Sequence, residues 1–192
     1  MMRLPLFPLQ SVLFPGGRLA LKVFEQRYLE LTKACLAQDL PFGICAIKEG
    51  REVGALPYNI GTLARIIEWD MPEPGIFHLR VEGEKRFIIR HLHTEKSRLL
   101  VAEAEEVSPE PAQAVPADLR LTAEVIRRIM EDLNGAYWGP ERRFDDAAWV
   151  GYRLAEALPL KLSTKQNLLE MNDSVARLGL LQQFLRRQTG SQ

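Results

Sequence analysis

The sequence predicts an α+β chain, with strands and one helix first and helices alone afterwards. Two observations predict this. Apolar residues recur at a spacing of two, or in short unbroken runs, as far as Val107, and at helical spacing beyond Pro116. Between these regions, Ser108–Pro116 (SPEPAQAVP) carries three prolines and can continue neither a strand nor a helix. The division places a β domain at 1–107, a linker at 108–116 and a helical domain packed on it at 117–192.

The chain opens on LPLFPLQSVLFPGG, Leu4 to Gly17. Leu4–Leu9 and Val12–Phe14 read as short extended pieces. Pro5 and Pro8 lack an N–H donor, which confines the first of them to an edge or a strand start. Pro15-Gly16-Gly17 is a turn, because proline presets φ at its first central position and glycine accepts a positive φ at the second. Leu19, Leu21 and Val23 then alternate with polar or small residues as a half-buried strand.

From Glu25 the spacing becomes helical, with Tyr28, Leu31, Thr32, Cys35 and Leu36 on one face and Pro41 as the stop. Phe42–Ile47 reads as a buried strand, Glu49–Gly54 as a charged turn and Leu63–Trp69 as a strand. Met71–Gly75, with two prolines and a glycine, reads as a loop. Ile76–Val81 and Arg86–Leu92 flank Glu82-Gly83-Glu84-Lys85, which predicts a hairpin. Leu99–Val107 is the last strand.

In the helical part, Leu121, Val125, Ile129 and Leu133 form an i, i+4 stripe ended by Gly135. Ala147, Val150, Leu154 and Leu158 form a second, ended by Pro159. Asp145-Asp146 suits the N-cap of that second helix. Ser163 to Gln166 fits a capping box. Asn172 or Asp173 caps a last helix with Val175, Leu178, Leu181 and Leu185 on one face.

Acidic and basic residues balance at 25 each. Neither half is a polycation, so the broad positive field of a nucleic-acid binder is missing. Cys35 and Cys45 sit on apolar patterns and read as two buried thiols in a reducing cytoplasm. No apolar run reaches the ~18 residues of a membrane span. Pro5, Pro8 and Pro15 interrupt any signal-peptide helix.

LPLFPLQSVLFPGGRLALKVFEQRY, Leu4 to Tyr28, resembles the opening signature of the Lon protease N-terminal, or substrate-binding, domain family. Gly83 with Arg86-Phe87 resembles the family's G-x-x-R-F segment. Leu158-Pro159-Leu160 and Lys165-Gln166-x-Leu168-Leu169-Glu170 resemble its later L-P-L…K-Q-x-L-L-E segment. Ala20 departs from the pattern by standing where a proline is common. The resemblance implies a PUA-like, mostly antiparallel β pseudo-barrel with one helix, followed by a C-terminal helical bundle. It implies a non-catalytic module that recognises unfolded or extended polypeptide segments, or a partner protein, as an adaptor in proteolysis. No G-x-x-x-x-G-K-[ST] phosphate loop is present and no peptidase domain fits, so a stand-alone, cofactor-free member is expected.

The residues expected to grip a peptide are Leu13, Phe14 and Pro15 beside the first turn, with Tyr137 and Trp138 in the Gly135–Pro140 loop. Large apolar side chains next to a proline-limited edge strand suit an extended segment. The competing reading is RNA binding by the basic run Lys85, Arg86, Arg90, Lys96 and Arg98. Glu82, Glu84 and Glu95 dilute that run, and alternation splits it between two faces. His91 and His93 share a strand face, but two imidazoles without further ligands read as a solvated surface rather than a metal site. Ser163 and Lys165 are explained by helix capping rather than by catalysis.

Overall fold

A computed structural model of the chain describes residues 1–51, 54–133 and 138–189. It divides into two compact units, Met1–Ser108 and Pro109–Gln192.

The first unit holds strands β1 (Met2–Leu9), β2 (Arg18–Val23), β3 (Phe42–Glu49), β4 (Leu56–Pro57), β5 (Ile60–Glu73), β6 (Ile76–Thr94) and β7 (Leu100–Glu106), with helix α1 (Gln26–Gln38) between β2 and β3. Hydrogen bonding runs β1-β7-β6-β5-β3-β4, and β1 also pairs in parallel with β3. The path β1-β7-β6-β5-β3 therefore returns to β1 and closes, in a sheet that is otherwise antiparallel. The β1 segment that reads as a strand start is in fact a central member of this circuit. β2 lies off the circuit and pairs only with β6 among the described strands.

Two apolar clusters fill the unit. Leu6, Phe87 and Ala102 anchor one. Its largest member, the Phe87 ring, fits because Gly43 and Gly61 lack side chains. A Cβ there would stand 2.8 and 2.7 Å from that ring. In the other cluster α1 lays Tyr28, Leu31 and Cys35 against Val23, Phe42, Phe77 and Leu79. Asp39 ends α1 in the left-handed conformation at φ 50°.

Three expectations change here. β5 runs to Glu73 and β6 starts at Ile76, so the Met71–Gly75 loop shrinks to a hairpin tip with Gly75 at φ 81°. Residues 76–94 form one strand rather than a hairpin. Gly83 serves a close approach, not a turn: a Cβ there would lie 2.4 Å from the Phe14 carbonyl oxygen. Val12–Phe14 forms no strand. The Thr62 hydroxyl donates to the Leu13 carbonyl at 2.6 Å, fixing this segment over the middle of β6. The Glu49–Gly54 turn is described except at residues 52 and 53.

The second unit holds α2 (Arg120–Asp132), α3 (Ala147–Ala157), α4 (Leu162–Glu170) and α5 (Ser174–Thr189), with a 3₁₀ turn at Ala117–Leu119. α3 packs against the other three helices. Asp146 caps α3 by accepting from the Ala148 and Trp149 amides, and Asp173 accepts from the Ala176 amide at the start of α5. Ser163 caps nothing. α4 begins two residues earlier than a capping box on Ser163 requires, with Lys161 in the N-cap position. On α2 the buried face is Thr122, Ala123, Ile126 and Met130, while Leu121 and Leu133 are exposed. Gly135 lies outside the described residues.

The proline segment belongs to this unit. The Ala147 amide donates to the Gln113 carbonyl and the Val115 amide to the Asp145 carbonyl. Arg177, which is fully buried, donates to both Glu110 carboxylate oxygens at 2.6 and 3.0 Å and to the Leu168 and Met171 carbonyls. Its guanidinium lies 4.3 Å from the centre of the Tyr152 ring, whose hydroxyl also donates to Glu110.

Gly83→Val should lower stability by about 2–3 kcal/mol through that steric conflict, read from urea unfolding. Arg177→Met should cost about 3–5 kcal/mol by leaving Glu110 buried without its cation. Adding Glu110→Leu to Arg177→Met should recover most of that loss in the same measurement.

Candidate functional site

The turn Phe14–Gly17 sets the geometry of β2. The Gly17 amide donates to the Phe14 carbonyl at 2.9 Å, and Gly16 adopts φ 72°. This is the turn that Pro15-Gly16 predicts. The Gly16 amide donates to the Gly83 carbonyl, and the Gly83 amide donates to the Gly17 carbonyl. Two residues oppose one, so the turn ends in a β-bulge.

From there β2 pairs with β6 in a continuous register, Arg18 with Glu82 through to Val23 with Phe77. In an antiparallel pair, every second residue faces its neighbour with both backbone groups. Counting from the Gly17–Gly83 pair, Leu19, Leu21 and Val23 face β6. Arg18, Ala20 and Lys22 turn their backbone groups to the opposite edge.

Beside that edge lies a hollow of about 270 Å³. The end of β1, Phe7 to Gln10, forms one side and Ala20 to Phe24 another, with Tyr28 and Ile47 also lining it. The Phe7 and Tyr28 rings stack at 4.0 Å. Arg27 covers the Tyr28 ring, pairs with Glu25 at 2.9 Å and donates to the Arg98 carbonyl. These contacts give the FEQRY run a physical role, since Phe24 stands 61% exposed at the rim while Tyr28 lines the hollow and Arg27 braces its ring. The site thus offers unpaired backbone groups, an apolar wall and one solvent-exposed aromatic ring.

A second hollow, of about 610 Å³, lies in the helical unit beside α4 and α5. Pro159, Leu160, Leu180 and Phe184 line it, with Lys161 and Arg187 at its margin.

The structure puts the residues expected to hold a peptide elsewhere. Leu13, Phe14 and Trp138 are 2%, 0% and 5% exposed. They are core residues, since the bulged turn and Thr62 draw 13–14 inward. Pro15 is half-buried. Tyr137 lies outside the described residues. Sequence reasoning missed Phe7, Phe24 and Tyr28 as site residues because alternation and helical spacing mark them only as apolar.

The basic run does not assemble into a cationic face. Lys85 pairs with Glu106 at 2.6 Å and Arg90 with Glu105 at 2.8 Å, while Arg86 is buried. Lys96 and Arg98 are exposed in the turn between β6 and β7, with Arg98 at φ 67°. His91 and His93 are exposed on β6. Among the described residues no group of three or more His, Cys, Asp or Glu could hold a metal ion. No described helix is long and apolar enough to cross a membrane. Burial pushes the Cys35 thiol up to about 11 and the Cys45 thiol up to about 12, so both are poor nucleophiles at neutral pH.

Among the described residues, the one strongly displaced carboxyl lies in the helical unit. Burial pushes Glu156 up to about 7, against the opposing pull of Arg153 and Lys165. Arg153 pairs with it at 2.8 Å, and Lys165 donates to its backbone carbonyl. Lys165 is itself lowered, first by burial. Ser163 is exposed and takes no part in this cluster.

The folded state therefore holds the Glu156 proton more tightly than the unfolded chain does. Stability should fall as pH rises from about 4.5 towards about 7 and level off above that. Glu156→Gln should flatten this slope in thermal melts of the helical signal across the same range.

The comparisons agree with this architecture. Residues 3–187 match the family model for the ATP-dependent protease La (LON) substrate-binding domain. A Lon protease of Anaeromyxobacter dehalogenans is 27% identical over 96% of this chain, and Lon protease 2 of Myxococcus xanthus is 28% identical over 96%. The chain spans 23% of the length of each. The crystal structure of a Lon N-terminal domain protein from Xanthomonas campestris superposes with a TM-score of 0.80 at 35% identity, covering 94% of this chain and 97% of that one. The N-terminal domain of the Mycobacterium avium complex Lon protease shares the fold, at a TM-score of 0.66 and 18% identity over 94% and 96% of the two chains.

Proposed function

We propose, because the chain belongs to the LON substrate-binding domain family, that it is a non-catalytic module recognising unfolded or extended polypeptide segments. The observation that carries this reading is the hollow beside β2, where an apolar wall adjoins backbone groups that no described strand pairs. A folded protein satisfies its own backbone and buries its apolar residues, whereas an unfolded one presents both. This site suits the second kind of ligand. The matched region is the substrate-binding domain, and action as an adaptor in proteolysis is the role such a module fits.

RNA binding lacks comparable support. Ion pairing neutralises Lys85 and Arg90, and burial withdraws Arg86.

A reduced, carboxymethylated model protein titrated against the chain should bind saturably, and its native form should not. Phe24→Asp should weaken that binding about tenfold by placing a charge on the rim, while melts stay unchanged because Phe24 is exposed. Equal binding of native and unfolded forms would remove the basis for the reading.

A further inference from the structure

We infer that the ligand is held as an added β-strand along β2, and that the Ala20 amide is a main-chain donor to it. The inference rests on the polypeptide-binding reading and adds its mode and the pattern of its ligand.

The bulge at Gly16-Gly17 against Gly83 fixes which backbone groups of β2 face outward. By that phase, Ala20 and Lys22 each present an N–H and a C=O to the edge that no described strand pairs. Those four groups form a short ladder awaiting a partner. The side chains are as definite. Leu19, Leu21 and Val23 pack into the core on one face of β2, while Ala20 and Lys22 stand exposed on the other. A strand laid beside β2 inherits this alternation. Residues opposite Leu21 and Val23 meet the hollow with its Phe7–Tyr28 stack and must be apolar. Residues between them meet solvent and Lys22, and suit polar or acidic side chains.

The ligand class is therefore a proline-free extended segment in which apolar residues alternate with polar or acidic ones. That is the pattern of a half-buried strand which unfolding of another protein sets free. The occupant extends the β5-β6-β2 ladder by one strand, so it continues a pairing already present rather than creating a new kind of contact.

Ala20 is the discriminating position. A proline there would supply no N–H. This chain has the donor. Ala20→Pro removes it without taking a hydrogen bond from β6, because the Ala20 amide faces away from that strand. Ala20→Val keeps the donor with a bulkier side chain on the solvent face.

The probe is a fluorophore-labelled short peptide in which valine alternates with threonine and glutamate, with two further copies N-methylated at alternate residues, one in each phase. Expected are saturable binding of the first peptide, loss of about five- to tenfold in affinity on N-methylation in one of the two phases, and a similar loss for Ala20→Pro. Ala20→Val, which keeps the donor, should lose much less affinity than Ala20→Pro, and circular dichroism should show all three proteins folded. Parent-like binding by Ala20→Pro, with N-methylation harmless in both phases, would overturn strand addition. If the unfolded model protein still bound in that case, polypeptide recognition would survive without it. If neither the peptide nor the unfolded protein bound the parent chain, both readings would fall.

Discussion

The first unit depends on one close approach, the backbone of Leu13–Gly17 lying directly on β6 at a residue with no side chain. With a Cβ at Gly83 only 2.4 Å from the Phe14 carbonyl, no other residue keeps the turn in place. The turn in turn determines the bulge, and the bulge determines which half of the β2 backbone faces solvent. A steric requirement in the middle of one strand thus specifies the hydrogen-bonding character of another. The same inward pull sends Leu13 and Phe14 into the core, so the greasy opening stretch serves the interior, and its only contribution to the surface hollow is the end of β1.

The architecture was legible where a single periodicity governs a segment. The α1 face, the buried run of β3 and the alternation of β2 follow directly from residue spacing. β6 was not legible as one strand, because Glu82-Gly83-Glu84-Lys85 has the composition of a turn. The tertiary need for a missing Cβ and the local preference for a turn both select glycine, and sequence alone does not separate them. α2 shows a related ambiguity. Its stripe of Leu121, Val125, Ile129 and Leu133 is the more apolar, yet the helix buries Thr122, Ala123 and Ile126. Small side chains permit close helix contact, and Thr122 satisfies its hydroxyl on the Leu119 carbonyl.

The site was less legible still. A hollow is a property of what three separate segments leave between them, and Phe7, Ala20–Phe24 and Tyr28 are brought together only by the closed circuit and by α1. Family resemblance pointed to the ligand class without locating its place on the surface. The reverse error occurred for charge. Lys85 and Arg90 look like a cationic run in one dimension and become neutralised pairs once β7 sets Glu106 and Glu105 across from them.

The buried guanidinium of Arg177 bears on where the helical unit begins. Its counter-charge sits at Glu110, in a stretch whose prolines give it the look of a spacer. A fragment starting at the first helix would enclose a cation with nothing to neutralise it. The minimal piece able to fold by itself must therefore start upstream of every helix it contains. Changes in that proline-rich stretch then act on the interior of the helices, much as a lost cofactor acts on the protein built around it.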